Sequence, residues 1–245
     1  MKRVPRQSVL SDEIYGLIKA KIFDHEIAPG EHVNIDALAL QLKVSHTPIR
    51  ESLARLESEG LTHKEPLKGY SATNLLTMKE FNDLFEFRLL IEPWSAERAA
   101  EVINPAGVAQ LESEIKIAHA SLKLKDYKMI QALTEHDARF HILVARISGN
   151  ETVLRAFEGT HCHLHLFRLF LAAKNNQLPP ESRTKFIQDF FDHYYQSESG
   201  QLALRQHEEI AEAIIGRDAP LARSSMYAHI EASIRAYAPA VSVQP

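Results

Sequence analysis

An acid and an imidazole lie one helical turn apart in the segment TEHDARFHILVARISGN, residues 134–150. Asp137 and His141 are four residues apart, and side chains at that spacing lie on one face of an α-helix. The apolar residues around them recur with the period of a buried helix face: Phe140, Leu143, Val144 and Ile147. Taken singly, each polar residue fits an ordinary core or surface position. As a pair on a buried face, they fit the coordination of a metal ion.

Two further histidines lie at equal distances from a turn. His207 comes nine residues before the segment GRDAP (216–220), and His229 comes nine residues after it. If the flanking helices pair antiparallel, arms of roughly 13 Å, at 1.5 Å per residue, bring both imidazoles to one level. Three imidazoles and one carboxylate meeting inside a bundle form a site for a divalent transition metal ion. The spacing thus predicts metal ligands at Asp137, His141, His207 and His229, and Zn²⁺, Ni²⁺ and Mn²⁺ all accept these donors.

The elements that must position these residues are helices. From residue 78 onward an apolar period of 3.6 persists between widely spaced breakers, which predicts an all-α helical bundle over residues 78–240. The expected helices lie near 78–103, 105–124, 126–148, 150–174, 183–196, 200–216 and 218–237. Trp94 and Cys162 are expected to lie in the core.

The first 75 residues have another organisation. The sequence predicts a first helix with Ser11 as its N-cap, a second capped by Asn34, and a third that ends at Gly60. The buried face of the first helix is expected to contain Ile14, Leu17, Ile18, Ile22 and Ile27. The segment LTHKEPLKGYSAT then predicts a small β-hairpin. Residues 1–75 are therefore expected to form a winged helix-turn-helix, and the whole chain to be mainly α.

The third helix begins with groups suited to DNA. Its N-terminus exposes backbone N–H groups that attract phosphate, and short or basic side chains lie there, at Ser45, His46, Thr47 and Arg50. Lys68 at the hairpin tip is placed to reach the phosphate backbone. From periodicity alone, a helical domain that merely contains a hairpin fits equally well.

Composition narrows the class of protein. The 245 residues carry a net charge of −4 and one cysteine, which excludes an internal disulfide and fits a cytoplasmic protein. No signal peptide and no membrane-spanning apolar run is recognised. Residues 1–75 contain ten basic and ten acidic residues, so DNA binding has to rest on a local patch rather than on overall charge.

A resemblance favours the DNA-binding interpretation. The stretch LALQLKVSHTPIRESLARLESEGL followed by KGY, with PGEHV before it, resembles the DNA-binding domain of the GntR family of bacterial transcription regulators. The resemblance implies a homodimer that binds a palindromic double-stranded operator, with the third helix in the major groove. By position it implies contacts from Ser45, His46, Thr47, Arg50 and Gly69. The family usually has arginine where this chain has His46, so we expect an altered base preference, weaker binding or pH-sensitive binding.

The C-terminal half resembles the FCD effector domain of the FadR-type branch of that family. The resemblance rests on FRLLIEPWSAERAA, DARFHILVARISGN, QHEEIAEAIIGRDAPLA and MYAHI. It implies a metal held by Asp137, His141, His207 and His229, and effector contacts from Arg88 and Asn150. The alternatives are an intrahelical ion pair with Glu92 for Arg88 and a helix cap for Asn150. The run THCHLHLFRLF is expected to line the effector cavity, although His161 and His165 could chelate a second metal.

Three functions fit these residues. The first is a transcriptional regulator, expected to repress, whose operator binding responds to a small carboxylate metabolite at the metal site. The second is a metal-dependent hydrolase, since three histidines and an aspartate can activate water; no general-base motif near the cluster accompanies it. The third is a regulator whose metal is purely structural.

Overall fold

The computed structural model describes residues 6–124, 126–174 and 200–241. The chain divides into two compact units, Met1–Leu75 and Leu76–Pro245. The expected fold class is confirmed: the described part is mainly helical, with one two-stranded hairpin in the first unit. None of its helices is long and apolar enough to cross a membrane.

The first unit contains three helices followed by the hairpin. The helices are α1 (Arg6–Phe23), α2 (Ile35–Leu42) and α3 (His46–Ser58), and the strands are β1 (Thr62–Glu65) and β2 (Gly69–Ala72). The strands are antiparallel, with Thr62 opposite Ala72 and Glu65 opposite Gly69. This order is that of a winged helix-turn-helix.

Local chemistry explains most of these boundaries. The Asn34 side chain accepts a hydrogen bond from the backbone N–H of Ala37 and so caps α2. Gly60 follows α3 with a φ of 74°, the left-handed conformation that suits glycine. The predicted cap at Ser11 is wrong, because α1 already begins at Arg6. Leu17 is 43% exposed, unlike the other four residues of the predicted apolar face, because Ile14, Ile18 and Ile22 define a stripe and Leu17 lies at its edge.

The second unit is a helical bundle. Its described helices, numbered on in chain order, are α4 (Met78–Val102), α5 (Pro105–Ser121), α6 (Asp126–Ile147), α7 (Glu151–Glu158), α8 (Cys162–Lys174), α9 (Gly200–Ile215) and α10 (Ala219–Val241). Helix α10 packs against α4 and α9, and α6 packs against α4 and α5. This arrangement places α6, α9 and α10 around one interior region.

Caps and breakers set the ends of these helices. Thr77 and Glu80 form a reciprocal capping box at the start of α4, and Asn104 caps α5 with Pro105 in its first turn. The single helix predicted over 150–174 is wrong: it breaks after Glu158, and His161 adopts a left-handed φ of 48° before α8 begins. The helix predicted near 183–196 lies outside the described residues.

The core of the bundle is apolar around an unusual polar centre. Large buried side chains include Phe81, Phe85, Phe140 and Phe157, and the small Cys162 side chain is buried with them. Trp94, predicted to lie in the core, is 36% exposed. Four histidines of the second unit, among them His136 and His141, are buried to 2% exposure or less. Buried imidazoles need partners, and these partners define the site.

Candidate metal centre

Four donor atoms from three helices converge inside the bundle. The Nε2 atom of His229 lies 3.2 Å from Nε2 of His141 and 3.2 Å from Nε2 of His207. The Asp137 Oδ1 atom lies 3.4 Å from His207 Nε2 and 3.8 Å from His141 Nε2. The four ligand atoms all lie within 4.8 Å of one another. The structure thus brings together all four residues selected by sequence spacing.

The helices that carry these residues explain why the four donor atoms converge. Helix α6 presents Asp137 and His141 one turn apart, on the side that faces α9 and α10. His207 lies on α9 and His229 on α10, and the tight turn at Gly216–Asp218 joins these helices. Equal arms on either side of that turn put the two histidines opposite each other, as the sequence predicted.

The donor set fits a transition metal ion. An ion about 2.1 Å from each donor requires neighbouring donors roughly 3.0–3.4 Å apart in tetrahedral or octahedral geometry. Most of the distances between the donor atoms already fall in or close to that interval. Three nitrogens and one carboxylate oxygen are the donors that Zn²⁺, Ni²⁺ and Mn²⁺ accept.

The three histidines are held in the neutral form that binds metal. Burial, reinforced by the neighbouring His141, lowers the pKa of His229 to about 3. Burial and the neighbouring His229 lower the pKa of His207 well below its ordinary value. Burial also lowers the pKa of His141, although the Glu92 carboxylate opposes it. Each ring therefore keeps a lone pair for coordination near neutral pH.

His141 is oriented by a buried ion pair on α4. Its Nδ1 contacts Oε2 of Glu92, whose other oxygen is bound by Nε of Arg88. Burial opposes ionisation of Glu92, but Arg88 and His141 outweigh it and lower the pKa of that carboxyl group. A carboxylate that holds Nδ1–H leaves Nε2 of His141 for the metal. The alternative for Arg88, an intrahelical pair with Glu92, is thus present in the structure.

Two other ligands also have outer partners. His229 Nδ1 donates to the side-chain oxygen of Gln206 at 3.0 Å, which leaves its Nε2 to face the centre. Asp137 Oδ2 accepts from Nδ1 of His163 at 2.6 Å, which leaves Oδ1 for the ion. Burial opposes protonation of His163, but Cys162 and Asp137 raise its pKa to about 10.

His207 has a histidine as its outer partner. His207 Nδ1 lies 3.0 Å from Nε2 of His136, and His136 Nδ1 lies 2.9 Å from Oε1 of Glu114. Arg139 binds both oxygens of Glu114 at 3.0–3.1 Å. No spacing rule in the sequence links His136 to His207.

A small cavity adjoins the centre. Its volume is about 20 Å³, close to the space that one water molecule occupies. The polar residues around it are Arg88, His136, Asp137, His207, Ser233 and Tyr237, and the apolar ones are Leu133, Leu166, Ala203 and Leu204. Arg88 is therefore next to the ligands Asp137 and His207, whereas Asn150 is not among the lining residues.

The remaining predicted site residues of this unit lie elsewhere. Asn150 is exposed, and its side-chain oxygen accepts from the N–H groups of Thr152 and Val153 at the start of α7, which is its alternative role as a cap. His161 precedes α8 in a left-handed conformation, so the alternative chelate by His161 and His165 does not have both residues within one helix. Within the described residues, no other group of three or more potential ligands converges.

The predicted DNA contacts lie on the surface of the first unit. Ser45, His46, Thr47 and Arg50 are all exposed at the N-terminal end of α3. His46 Nε2 lies 3.1 Å from Oδ1 of Asp36 on α2. Lys68 is exposed in the hairpin turn and pairs with Glu65 at 2.6 Å.

Gly69 follows with a φ of 90°. A Cβ atom on Gly69 would lie 3.2 Å from the His32 ring, so a close approach as well as the conformation favours glycine there.

Known proteins match both units. Residues 10–70 match the model for bacterial regulatory proteins of the gntR family, and residues 83–232 match the model for the FCD domain. The chain is 26% identical over 227 residues to the transcriptional repressor RspR of Escherichia coli (strain K12), covering 93% of this chain and 88% of that protein. It is 23% identical over 219 residues to the regulator YdhC of Bacillus subtilis (strain 168), covering 89% and 86%.

A solved structure shows the same fold. Escherichia coli McbR/YncC superposes with a TM-score of 0.61 at 16% identity, covering 92% of this chain and 95% of that one. The matched families and relatives are regulators, so the hydrolase alternative is not supported. The resemblance seen in the sequence is confirmed. The chain belongs to the gntR family of bacterial regulatory proteins and carries an FCD domain. It is a DNA-binding transcriptional regulator and not an enzyme.

Proposed function

We propose that this regulator controls operator binding through a small organic acid that binds beside a divalent metal ion in the FCD domain. The convergence of Asp137, His141, His207 and His229 carries this proposal. Four protein ligands would hold Zn²⁺, Ni²⁺ or Mn²⁺, and an ion of higher coordination number keeps positions for water or a carboxylate. The metal would supply a positive charge that binds the acid.

Arg88 would hold the acid from the other side of the cavity. Its pair with Glu92 uses Nε and Nη2 and leaves Nη1 outside that pair. A carboxylate is recognised well by a guanidinium group, which offers two parallel N–H donors. A ligand that binds Arg88 competes with Glu92, and Glu92 in turn orients His141. Effector and metal would therefore be coupled through one carboxylate. Asn150 has no part in this proposal, since it caps α7.

The small size of the cavity suggests how effector binding would change the conformation of the second unit. The cavity has a volume of about 20 Å³, room for about one water molecule, so we infer that an organic acid would displace side chains or helices that line it. Leu166 on α8, Leu204 on α9 and Ser233 on α10 line different sides of it. An effector that displaces these helices would change operator affinity by a coupling free energy of about 1–3 kcal/mol.

The DNA-binding part of the proposal rests on the exposed start of α3. A homodimer would place one α3 in each half of a palindromic operator. Ser45, His46, Thr47 and Arg50 would contact bases and phosphates, with Lys68 and Gly69 at the phosphate backbone. We propose repression, as for the similar transcriptional repressor RspR of Escherichia coli.

A purely structural metal is the second candidate. It is favoured by one observation: the ligands come from α6, α9 and α10, so an ion would tie these helices together. The two candidates differ in what metal removal does to acid binding. Dialysing the protein against a chelator and titrating it with a panel of small carboxylic acids, by calorimetry, separates them. An effector site predicts that heat of binding appears only with metal present; a structural metal predicts no acid binding in either state.

Selection from a random duplex DNA pool tests the operator. A dimeric regulator predicts enrichment of a short palindrome. Enrichment of a non-palindromic site, or of none with metal present, would contradict the DNA-binding part of the proposal.

A further inference from the structure

We propose that His136, anchored by Glu114, is a positioning residue that sets the metal affinity of the centre by fixing which nitrogen of His207 faces the ion. This inference rests on the proposed metal centre. It concerns a side chain that is not one of the four ligands and that lies 3.0 Å from one of them, His207.

Ring stacking alone does not orient His207. The Phe140 ring lies against the His207 ring, with centroids 4.3 Å apart and planes 18° apart. This contact fixes the plane of the imidazole. A half-turn of the ring about its Cβ–Cγ bond keeps the same plane but puts a carbon atom, in place of Nε2, toward the metal centre. Stacking on Phe140 is therefore compatible with both orientations of the His207 ring.

The hydrogen bond to His136 distinguishes the two orientations. A carboxylate only accepts, so the contact with Glu114 places the hydrogen of His136 on Nδ1 and leaves Nε2 as an acceptor. That acceptor requires the N–H of His207 to lie on Nδ1, 3.0 Å away. The lone pair of His207 is then on Nε2, the atom that lies 3.2 Å from Nε2 of His229.

Burial makes this hydrogen bond costly to lose. His136 is 2% exposed and His207 is 1% exposed, so bulk water has little access to either ring. In a neutral imidazole one nitrogen donates and the other accepts, so His136 with its hydrogen on Nδ1 accepts at Nε2. Without His136, the N–H of His207 would be a buried donor without this partner, and the flipped ring would no longer be disfavoured.

The chain of contacts from His207 through His136 to Glu114 ends in a charged pair at the surface. The Glu114 side chain is 10% exposed, and Arg139, which binds it, is 44% exposed. Arg139 is largely solvated, so its own removal is expected to matter less than removal of either buried group. Glu114 is the residue that fixes the direction of both hydrogen bonds.

The test compares three histidine variants of the full-length protein. His136→Leu removes both hydrogen bonds, whereas His136→Gln keeps an amide that can accept from His207 and donate to Glu114. His119→Leu, at a side chain 54% exposed, is the matched control. Zinc affinity is measured by competition with a chromophoric chelator. Cobalt is then substituted, and its visible spectrum reports the ligand field at the ion.

We expect His136→Leu to weaken zinc binding by about 10–100-fold, the usual effect of removing an outer partner of a histidine ligand. The cobalt spectrum should change in the same variant. His136→Gln should recover most of the affinity and the wild-type spectrum, and His119→Leu should behave as wild type. If His136→Leu does not fold, Glu114→Gln is measured instead, and Glu112→Gln, at an exposed residue, is its control. We then expect zinc affinity to fall in Glu114→Gln and to stay unchanged in Glu112→Gln.

Two failures are distinguishable. Wild-type protein that binds no zinc would overturn the metal centre itself, and this inference with it. Wild-type protein that binds zinc, with His136→Leu equal to it in affinity and spectrum, would overturn the role of His136 alone and leave the proposed function intact. Equal losses for His136→Leu and His136→Gln would also overturn it, since they would show that the hydrogen bonds are not what matters.

Discussion

The Nε2 atoms of His207 and His229 face each other at 3.2 Å, although 22 residues separate them in the chain. Each ring has its Nδ1 engaged elsewhere, His207 with His136 and His229 with Gln206. The Nε2 atoms of both rings therefore face the same point, next to His141 and Asp137. Such convergence of lone pairs is unfavourable without a cation between them.

Metal binding should stabilise the second unit. A ligand at 100 times its Kd that binds only the folded state adds about 2.7 kcal/mol. We expect zinc to raise the thermal midpoint of metal-free protein and a chelator to reverse the change. Asp137→Asn should weaken the effect and His229→Ala should abolish it. A midpoint that is the same with and without metal would count against the centre.

The buried pair on α4 should contribute far more than an exposed pair on the same helix. Glu92→Gln leaves Arg88, with a side chain 2% exposed, without its carboxylate. We expect a loss of about 3–5 kcal/mol in the free energy of unfolding. Glu101→Gln breaks the Arg98–Glu101 pair, whose side chains are 47% and 49% exposed, and should lose less than about 1 kcal/mol. Urea denaturation measures both, and equal losses would contradict the structural role given to Glu92.

Asn150 should act as a cap. Its side chain accepts from two N–H groups at the start of α7, so Asn150→Ala should cost about 1 kcal/mol of stability, and Asn150→Asp should cost little. The affinity for an acid effector should not change in either variant. An Asn150→Ala protein of normal stability that no longer binds the acid would restore the effector contact implied by the family resemblance.

His46 should determine a base preference. Asp36 lies 3.1 Å from its Nε2, and a single histidine cannot form the paired hydrogen bonds that arginine gives to guanine. We expect His46→Arg to shift the selected operator toward guanine at one position in each half-site, with discrimination of about 1–3 kcal/mol. Selection from a random duplex pool with both proteins checks this, and identical enriched sequences would show that His46 does not read a base.

Much of the site could be predicted because it depends on local periodicity. Asp137 and His141 share a helix face at a fixed spacing, and the turn between α9 and α10 makes the levels of His207 and His229 a matter of counting residues. The helix ends at Asn34, Thr77 and Asn104 follow from capping chemistry that acts over three residues.

The outer partners could not be predicted in the same way. The contact between His136 and His207 spans 71 residues, and that between His141 and Glu92 spans 49. Such pairs depend on how helices pack, which a single sequence does not encode in any spacing. One local signal is present in the sequence: Arg88 and Glu92 are four residues apart, the spacing of an intrahelical ion pair. The break at 159–161 falls on Gly159, Thr160 and His161, a short polar interruption between two apolar stretches.

Equilibrium titration of metal-free full-length protein with zinc tests the central claim most directly. We expect one zinc ion to bind per chain. The zinc affinity should fall steeply when His141, His207 or His229 is replaced by alanine, and it should be unchanged when the exposed His119 is replaced. Absence of binding, or binding that survives the loss of any of these three histidines, would contradict it.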